Sequence, residues 1–547
     1  MNLLSRFTKP DYTDAEDFLS HYSYTAPAGF NFARDVIDEY ARLAPDPTAM
    51  IWVNEAGEEH VFSFAELSRL SIKAANALRA LGVRKGEPVL LMLKRRYEYW
   101  LCALGLMRIG AIQIPATHQL HEKDIIYRIN AAGARTLVCV GEEELLEHVR
   151  RARAHCPDLQ TVAALGGAHD GFEDFDRLLA DAPDSMGGCF TPGDDDVMLI
   201  YFTSGTTGMP KMLAHDFRYG LGHLITGAFW HNLSDRSIHL TTADSGWAKC
   251  GWGKFYGQWI AGAVNFIYDF DRFNAAKMLE MLARYRVTSF YRFLIKEDMS
   301  AYDLSALEWA TCAGEPLNPE VFHQFYRQTG VKIYEAFGQS ETTPLLVTHK
   351  WMEPLPGSTG VPSPHYHIRV VDATGRDVER GEEGELCVDV SQGRPCGLFM
   401  GYYKDPEQTR YAFRNGMYHT GDMVWADEEG YYHFIGRADD VIKSSGYRIG
   451  PFEVESALIS HPAVIECAIT GVPHPDRGQV VKATVVLTKG YEPSDALKKE
   501  LQNHVKQVTA PYKYPRIIEF VDELPKTISG KIQRARLRKQ DAEKAGN

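Results

Sequence analysis

The sequence predicts an α/β protein in three parts: a large N-terminal domain of mixed and parallel sheets covered by helices, a small β subdomain, and a small α+β C-terminal domain. Three observations carry that prediction. Short apolar runs alternate with amphipathic stretches as far as about Thr348, the pattern of strands and covering helices in a parallel sheet. From Ile368 the texture changes to short strands between turns at Asp372–Gly375, Gly381–Gly384 and Asp427–Gly430. From Gly436 onward, about 110 residues carry both helical and strand-like runs, enough for a separate domain.

The elements follow in order. After a polar N-terminal arm, Ser63 to Glu66 reads as a capping box opening a helix through Leu81, with Leu67, Leu70, Ala74, Leu78 and Leu81 at helical spacing. Val89–Leu93, Ile112–Ile114 and Leu137–Val140 read as buried strands, separated by helices near Tyr97–Arg108 and Glu122–Ala132. A second series starts at the strand Val197–Phe202. In the last segment Pro451–Ser460 and Ser494–Val508 read as helices, and Val464–Thr470, Val480–Leu487 and Ile517–Val521 as strands. The expected division is 1–435 for the large domain and 436–547 for the small one.

The chain has 547 residues, 45% of them hydrophobic and 24% charged, an ordinary globular composition. Its net charge of −13 lacks the basic surplus of a nucleic-acid binder. The charge is unevenly spread: from Gly436 onward 18 Lys and Arg stand against 14 Asp and Glu, so the small domain is basic over an acidic body. Nine scattered cysteines without CxxC spacing read as reduced thiols. No secretory signal pattern and no apolar run of spanning length occur, so a cytoplasmic protein without a membrane span is expected.

The sharpest local signal is Thr203-Ser204-Gly205-Thr206-Thr207-Gly208-Met209-Pro210-Lys211, directly after a buried strand. Glycines let backbone approach an anion, hydroxyls and N–H groups donate to phosphate oxygens, and the lysine adds a point charge. A Walker loop needs four residues between its glycines and Ser or Thr after its lysine, so this is not one. Downstream come Tyr334-Glu335-Ala336-Phe337-Gly338-Gln339-Ser340-Glu341-Thr342, Tyr418-His419-Thr420-Gly421-Asp422, the glycine- and charge-rich Gly436 to Arg448, and Pro525 to Lys531.

Together these motifs, in this order, resemble the adenylate-forming superfamily of acyl-CoA synthetases, luciferases and nonribosomal adenylation domains. Trp247-Ala248-Lys249-Cys250-Gly251-Trp252-Gly253-Lys254, Tyr291-Arg292-Phe293-Leu294, Ala313-Gly314-Glu315-Pro316-Leu317-Asn318 and Ala510 to Arg516 look like the medium-chain acyl-CoA synthetases, most of all their prokaryotic branch. The resemblance covers essentially the whole chain. It implies that a carboxylic acid, ATP and coenzyme A become acyl-CoA, AMP and diphosphate through an acyl-adenylate. Both steps build negative charge that cations and N–H groups must stabilise.

The resemblance also implies roles. Thr203 to Lys211 would hold the ATP phosphates, and Thr206 with Glu341 would ligate Mg²⁺. Gly314, Glu315 and Pro316 would flank the adenine, and Glu335, Ala336, Phe337, Gly338, Gln339 and Ser340 would complete the pocket, with Phe337 on the base. Asp422 and Arg437 would take the ribose. Lys531 would contact the charge between carboxylate and α-phosphate, with Lys211 and Glu341 its partners in catalysis. Asp439 would be the hinge on which the small domain turns between half-reactions. Ser445, Gly446 and Tyr447 would line the pantetheine tunnel, and Arg477 would pair with a CoA phosphate. Gln119, Trp247, Ser340 and Arg448 would contact the acid, and a bulky Trp247 favours short, medium or branched chains.

One departure stands out. Relatives place a Pro-Pro-Thr loop before the segment at Tyr291-Arg292-Phe293, whereas here Thr288-Ser289-Phe290 runs straight into it. That departure keeps a non-catalytic nucleotide-binding relative as one alternative, and the shared nucleotide motifs keep an adenylation enzyme that loads a carrier protein as another. A metal or Ser/His/Asp hydrolase has no motif in its favour. Monomer and homodimer are both left open.

Overall fold

A computed structural model of the chain describes residues 2–203, 209–291, 294, 297–314, 317–445, 447–527 and 531–545. The predicted capping box is present. Ser63 N donates to the Glu66 carboxylate at 2.9 Å and Glu66 N donates to Ser63 Oγ at 3.2 Å, opening the helix Phe64–Ala80. Such a cap contributes about 1 kcal/mol. Its apolar face meets the helix Glu98–Ile109, every residue of which is buried. That second helix stops at Gly110, whose φ of 73° a side chain would resist.

Two large sheets build the body. The first runs in the order 173–174, 161–165, 136–140, 88–92, 112–115, 197–203, 211–216, 401–402. Its inner strands are parallel, and the last two pair antiparallel. The second sheet has nine strands around the parallel run 48–54, 264–269, 238–241, 289–291, 309–313 and 333–337. Strands such as Pro88–Met92 are buried throughout, as a sheet covered on both faces requires.

The β subdomain is an antiparallel four-stranded sheet of 368–371, 384–389, 417–426 and 432–437. The C-terminal sheet pairs 464–474 with 478–487 and carries 517–520 in parallel, covered by Pro451–Ile459 and Asp495–Val508. The subdomain sheet ends at Arg437, which pairs with Asp422, so it takes in two residues beyond the expected division at 435. The chain turns at 438–441 before the strand Ile442–Ser444.

The N-terminal arm differs from its polar reading. Leu3, Leu4, Phe7, Tyr12 and Phe18 are buried, and the Phe18 ring lies 4.8 Å from Phe229 and 5.0 Å from Trp351. These apolar residues are too irregularly spaced to show a period, and only the distant aromatics give them a core. All nine cysteines are free, eight of them buried. Among the described residues no helix is long and apolar enough to cross a membrane.

Candidate active site

The site lies where the first sheet, the end of the second and the β subdomain meet. Thr203 closes the strand Val197–Thr203 and pairs with Lys211, the first residue of the returning strand. Ser204 to Gly208 lie outside the described residues. Met209 is exposed, and the Pro210 carbonyl accepts a hydrogen bond from the Tyr127 hydroxyl at 2.7 Å. The Lys211 ammonium sits 5.0 Å from the centre of the Tyr402 ring, and its charge bears on Glu341.

The turn after the strand Ile333–Phe337 is tied to the β subdomain through one amide. Gln339 Nε2 donates to the Asp422 carboxylate at 2.5 Å and to the Thr420 carbonyl at 2.8 Å, while the Tyr418 hydroxyl donates to Gln339 Oε1 at 2.5 Å. Arg437 Nη1 donates to the same Thr420 carbonyl at 2.8 Å and stands 3.4 Å from Asp422. Gly421, with φ 72°, makes room for that guanidinium: a Cβ there would lie 2.8 Å from Arg437 Nη2. The neighbouring Ser340 carbonyl accepts from His215 Nε2 at 2.9 Å; burial pushes the His215 pKa down to about 4, so the ring is neutral.

Gly338 and Gly314 are close-approach positions. A Cβ at Gly338 would stand 2.7 Å from the Thr343 carbonyl oxygen and from the Trp252 ring, and one at Gly314 would meet the Lys249 side chain at 2.4 Å. Glu315 and Pro316 lie outside the described residues. Phe337 rests against Phe434 with ring centres 5.5 Å apart, and Ala336 belongs to the core. The Glu335 carboxylate accepts from Leu317 N at 3.2 Å.

Three carboxyl groups here share one electrostatic condition. Burial, the largest influence on each, raises the pKa of Asp422, Glu341 and Glu335 above the ordinary carboxylate range, and Arg437 offsets it only in part for the first two. A carboxylate left short of compensating charge suits a cation or a hydrogen-bond donor supplied by a ligand. Glu341, half-buried beside Lys211, Arg437 and the Tyr402 phenol, therefore fits as an oxygen donor to Mg²⁺.

The small domain presents some of its predicted residues to this site. Lys531 is close enough that its charge lowers the Asp422 pKa. Its backbone carbonyl accepts from Thr527 N at 2.8 Å. Asp439 is exposed, 3.9 Å from Arg437 Nε. The residues expected to meet CoA are gathered elsewhere. Arg477 Nη1 donates to Ser445 Oγ at 3.1 Å, and Tyr447 stacks on Tyr512 with ring centres 4.0 Å apart. Arg448 is exposed and bears on Glu383. Gly446 lies outside the described residues.

For the acid, Trp247 is half-buried at the start of the short helix Ala248–Lys254, and Gln119 is exposed. Gly246, next to Trp247, packs on the backbone two residues before Gln119: a Cβ there would lie 2.1 Å from Thr117 N. The strand Ser289–Tyr291 includes Tyr291, and Arg292 and Phe293 lie outside the described residues. Sequence reasoning missed Tyr418, Thr420, Tyr402, Trp252 and His215 as supports of the site. The Tyr418 to Asp422 motif and the Trp247 to Lys254 stretch carried local signs of Tyr418, Thr420 and Trp252, and nothing local marked Tyr402 or His215.

This geometry, with a strand end paired to Lys211, a carboxylate–amide–guanidinium cluster and a lysine from a second domain, suits a two-domain nucleotide-binding enzyme. Residues 37–403 match the AMP-binding enzyme family model, and residues 453–531 match the AMP-binding enzyme C-terminal domain. The chain belongs to the AMP-binding enzyme family. Mouse acyl-coenzyme A synthetase ACSM3, mitochondrial, is 40% identical over 98% of this chain and 94% of its own. Among solved structures, the anthranilate CoA ligase AuaEII in complex with anthranoyl-AMP superposes with a TM-score of 0.87 at 29% identity, covering 95% of this chain and 99% of that one. A Brucella canis acyl-CoA synthetase gives a TM-score of 0.72 at 32% identity over 98% and 100% of the two chains.

Proposed function

We propose that the chain is an AMP-forming acyl-CoA synthetase acting on short, medium or branched carboxylic acids. In the first step a carboxylate oxygen attacks the α-phosphorus of ATP, and the bond to diphosphate breaks. In the second the CoA sulfur attacks the acyl carbon, the thiol proton is released, and AMP departs. ATP, Mg²⁺ and CoA are thus its co-substrates and metal, and no nucleic acid takes part.

The observation that carries this reading is the Gln339–Asp422–Arg437 cluster with the Lys531 charge reaching it. Asp422 has one carboxylate to offer two ribose hydroxyls, Arg437 holds it in place, and Phe337 lies alongside for the base. Lys211 and the loop from Thr203 take the phosphates, with Thr206 and Glu341 holding Mg²⁺, which supplies charge neutralisation there. Lys531 meets the charge developing at the α-phosphate, where a dry site strengthens it. The arrangement with Lys531 near Asp422, and with Ser445, Tyr447 and Arg477 grouped apart from it, suits adenylate formation.

A turn about Asp439 would then bring Ser445, Gly446, Tyr447, Arg448 and Arg477 to the adenylate, with Gln119, Trp247 and Ser340 around the acyl group. The two domains on this reading are 1–435 and 436–547. The cytoplasm remains the proposed compartment on the nine free thiols. The ACSM3 relative is named mitochondrial, and cell fractionation decides between the two.

The experiment separates the half-reactions. Gly446→Leu should retain acid-dependent diphosphate exchange and lose thioester formation, because a leucine fills the tunnel. Lys531→Ala should lose exchange and still convert preformed adenylate to thioester. Equal loss of both activities in both variants refutes the assignment.

A further inference from the structure

Beneath the ribose-facing strand, three side chains that the adenylation chemistry does not use converge in the β subdomain. Cys387 and His419 are directly paired across the strands Gly384–Asp389 and Met417–Ala426, and Glu385 lies two residues from Cys387 on the same face. Cys387 Sγ is 3.5 Å from His419 Nδ1, which is 2.9 Å from Glu385 Oε2, and all three atoms lie within 4.8 Å of one another. Tetrahedral zinc with sulfur, nitrogen and oxygen ligands requires edges of about 3.4–3.6 Å, from bond lengths of about 2.0–2.3 Å. The Cys387–His419 separation is already at ligand spacing, and His419 and Glu385 need only part slightly to admit a metal between them.

The surroundings favour a dication further. The His419 side chain is 6% exposed and the Glu385 side chain 20%, so the cluster is sheltered yet open on the carboxylate side. Glu385 Oε1 is already occupied by Gly421 N at 3.0 Å, which leaves Oε2 for a metal. Of the nearby cations, Arg369 is matched by Asp377 at 2.8 Å, and Arg414 reaches Glu385 only at 3.6 Å while resting on the Tyr411 ring. A metal deprotonates a thiol that it binds, and thiolate plus carboxylate then neutralise one Zn²⁺.

We infer that Glu385, Cys387 and His419 form a Zn²⁺ site with an open fourth position, and that zinc there weakens ATP binding. The coupling has a short path. Glu385 holds Gly421 N, the residue before Asp422, and the Thr420 carbonyl held by Gln339 and Arg437 is the residue after His419. A metal that parts Glu385 from His419 moves both ends of that segment, and the ribose carboxylate shifts with it.

The test uses the full-length protein stripped with chelator, titrated with Zn²⁺ and, for its spectrum, Co²⁺. One equivalent of metal should bind, the Co²⁺ form should show a thiolate charge-transfer band, and the KM for ATP should rise several-fold at saturating Mg²⁺. Cys387→Ser should abolish the band and weaken uptake at least tenfold with basal turnover unchanged. Glu385→Gln is the second variant should the first misfold. Equal uptake by wild type and variants, or a wild-type Co²⁺ spectrum without the thiolate band, overturns the site. Uptake that leaves the KM for ATP unchanged overturns the coupling.

Discussion

Replacing Asp422 with asparagine tests the ribose assignment, because it should separate binding from stability. Asp422 is 4% exposed, and burial raises its pKa despite Arg437 at 3.4 Å. An acid whose pKa is raised on folding contributes stability in full below its unfolded value near 4, and that contribution is lost as pH rises through the folded value. At neutral pH the ionised Asp422 is therefore a net cost to the fold. Asparagine keeps an oxygen for Gln339 and removes that cost, so the Tm should hold or rise. Binding should move the opposite way. One of two charge-assisted acceptors becomes a donor, a loss of about 1.5–3 kcal/mol, or about 10- to 150-fold in kcat/KM for ATP. Diphosphate exchange against ATP concentration, with calorimetry at pH 5 and pH 7.5, reads both quantities. An unchanged KM for ATP, or a Tm that falls by several degrees at pH 7.5, refutes the reasoning.

Other expectations follow from the same geometry. Glu341→Gln should reduce turnover by about two orders of magnitude without lowering the Tm. In the wild type, apparent Mg²⁺ affinity should fall as pH drops through the raised Glu341 pKa, because a proton then competes with the metal; Mg²⁺ titrations across the acid range check this. Glu335→Gln should leave the KM for ATP near wild type, whereas Glu335→Ala orphans Leu317 N at a cost of about 1–3 kcal/mol and should raise it. Gly338→Ala should lower the Tm, since its Cβ meets the Thr343 backbone oxygen at 2.7 Å and overpacking costs about 1–3 kcal/mol. Trp247→Ala should move the preferred acid to longer chains in a chain-length series.

Much of this was readable along the chain because it was local. The capping box at Ser63, the buried strand Pro88–Met92 and the turns of the β subdomain each lie within a few residues, where spacing and turn chemistry report directly. The motif order likewise placed Thr203, Lys211, Gln339, Glu341, Asp422 and Arg437 in one site. What spacing could not give is long-range. Nothing near Gln339 says that its amide will meet Asp422, 83 positions away, or that Tyr418 will hold its other end. Phe18 reads as part of a polar arm until Phe229 and Trp351 surround it. The π-helical turns Ala33–Asp38 and Ile225–Trp230 were missed for the same reason, as tertiary packing rather than local preference sets them. Glu335 was placed in the pocket by resemblance alone, and nothing local says that its carboxyl will accept from Leu317 N, 18 positions away.

The central claim is that this chain joins a carboxylic acid to CoA through an adenylate, with Thr288-Ser289-Phe290 running straight into Tyr291. The direct measurement is AMP and diphosphate release over acids from acetate to decanoate, with 2-methyl branched and aromatic acids included, in the presence and absence of CoA. The account predicts diphosphate release with short, medium or branched acids and, with CoA, sustained AMP release matched by acyl-CoA. No release with any acid would make the chain a non-catalytic nucleotide binder, and adenylate that CoA does not discharge would make it a carrier-loading enzyme.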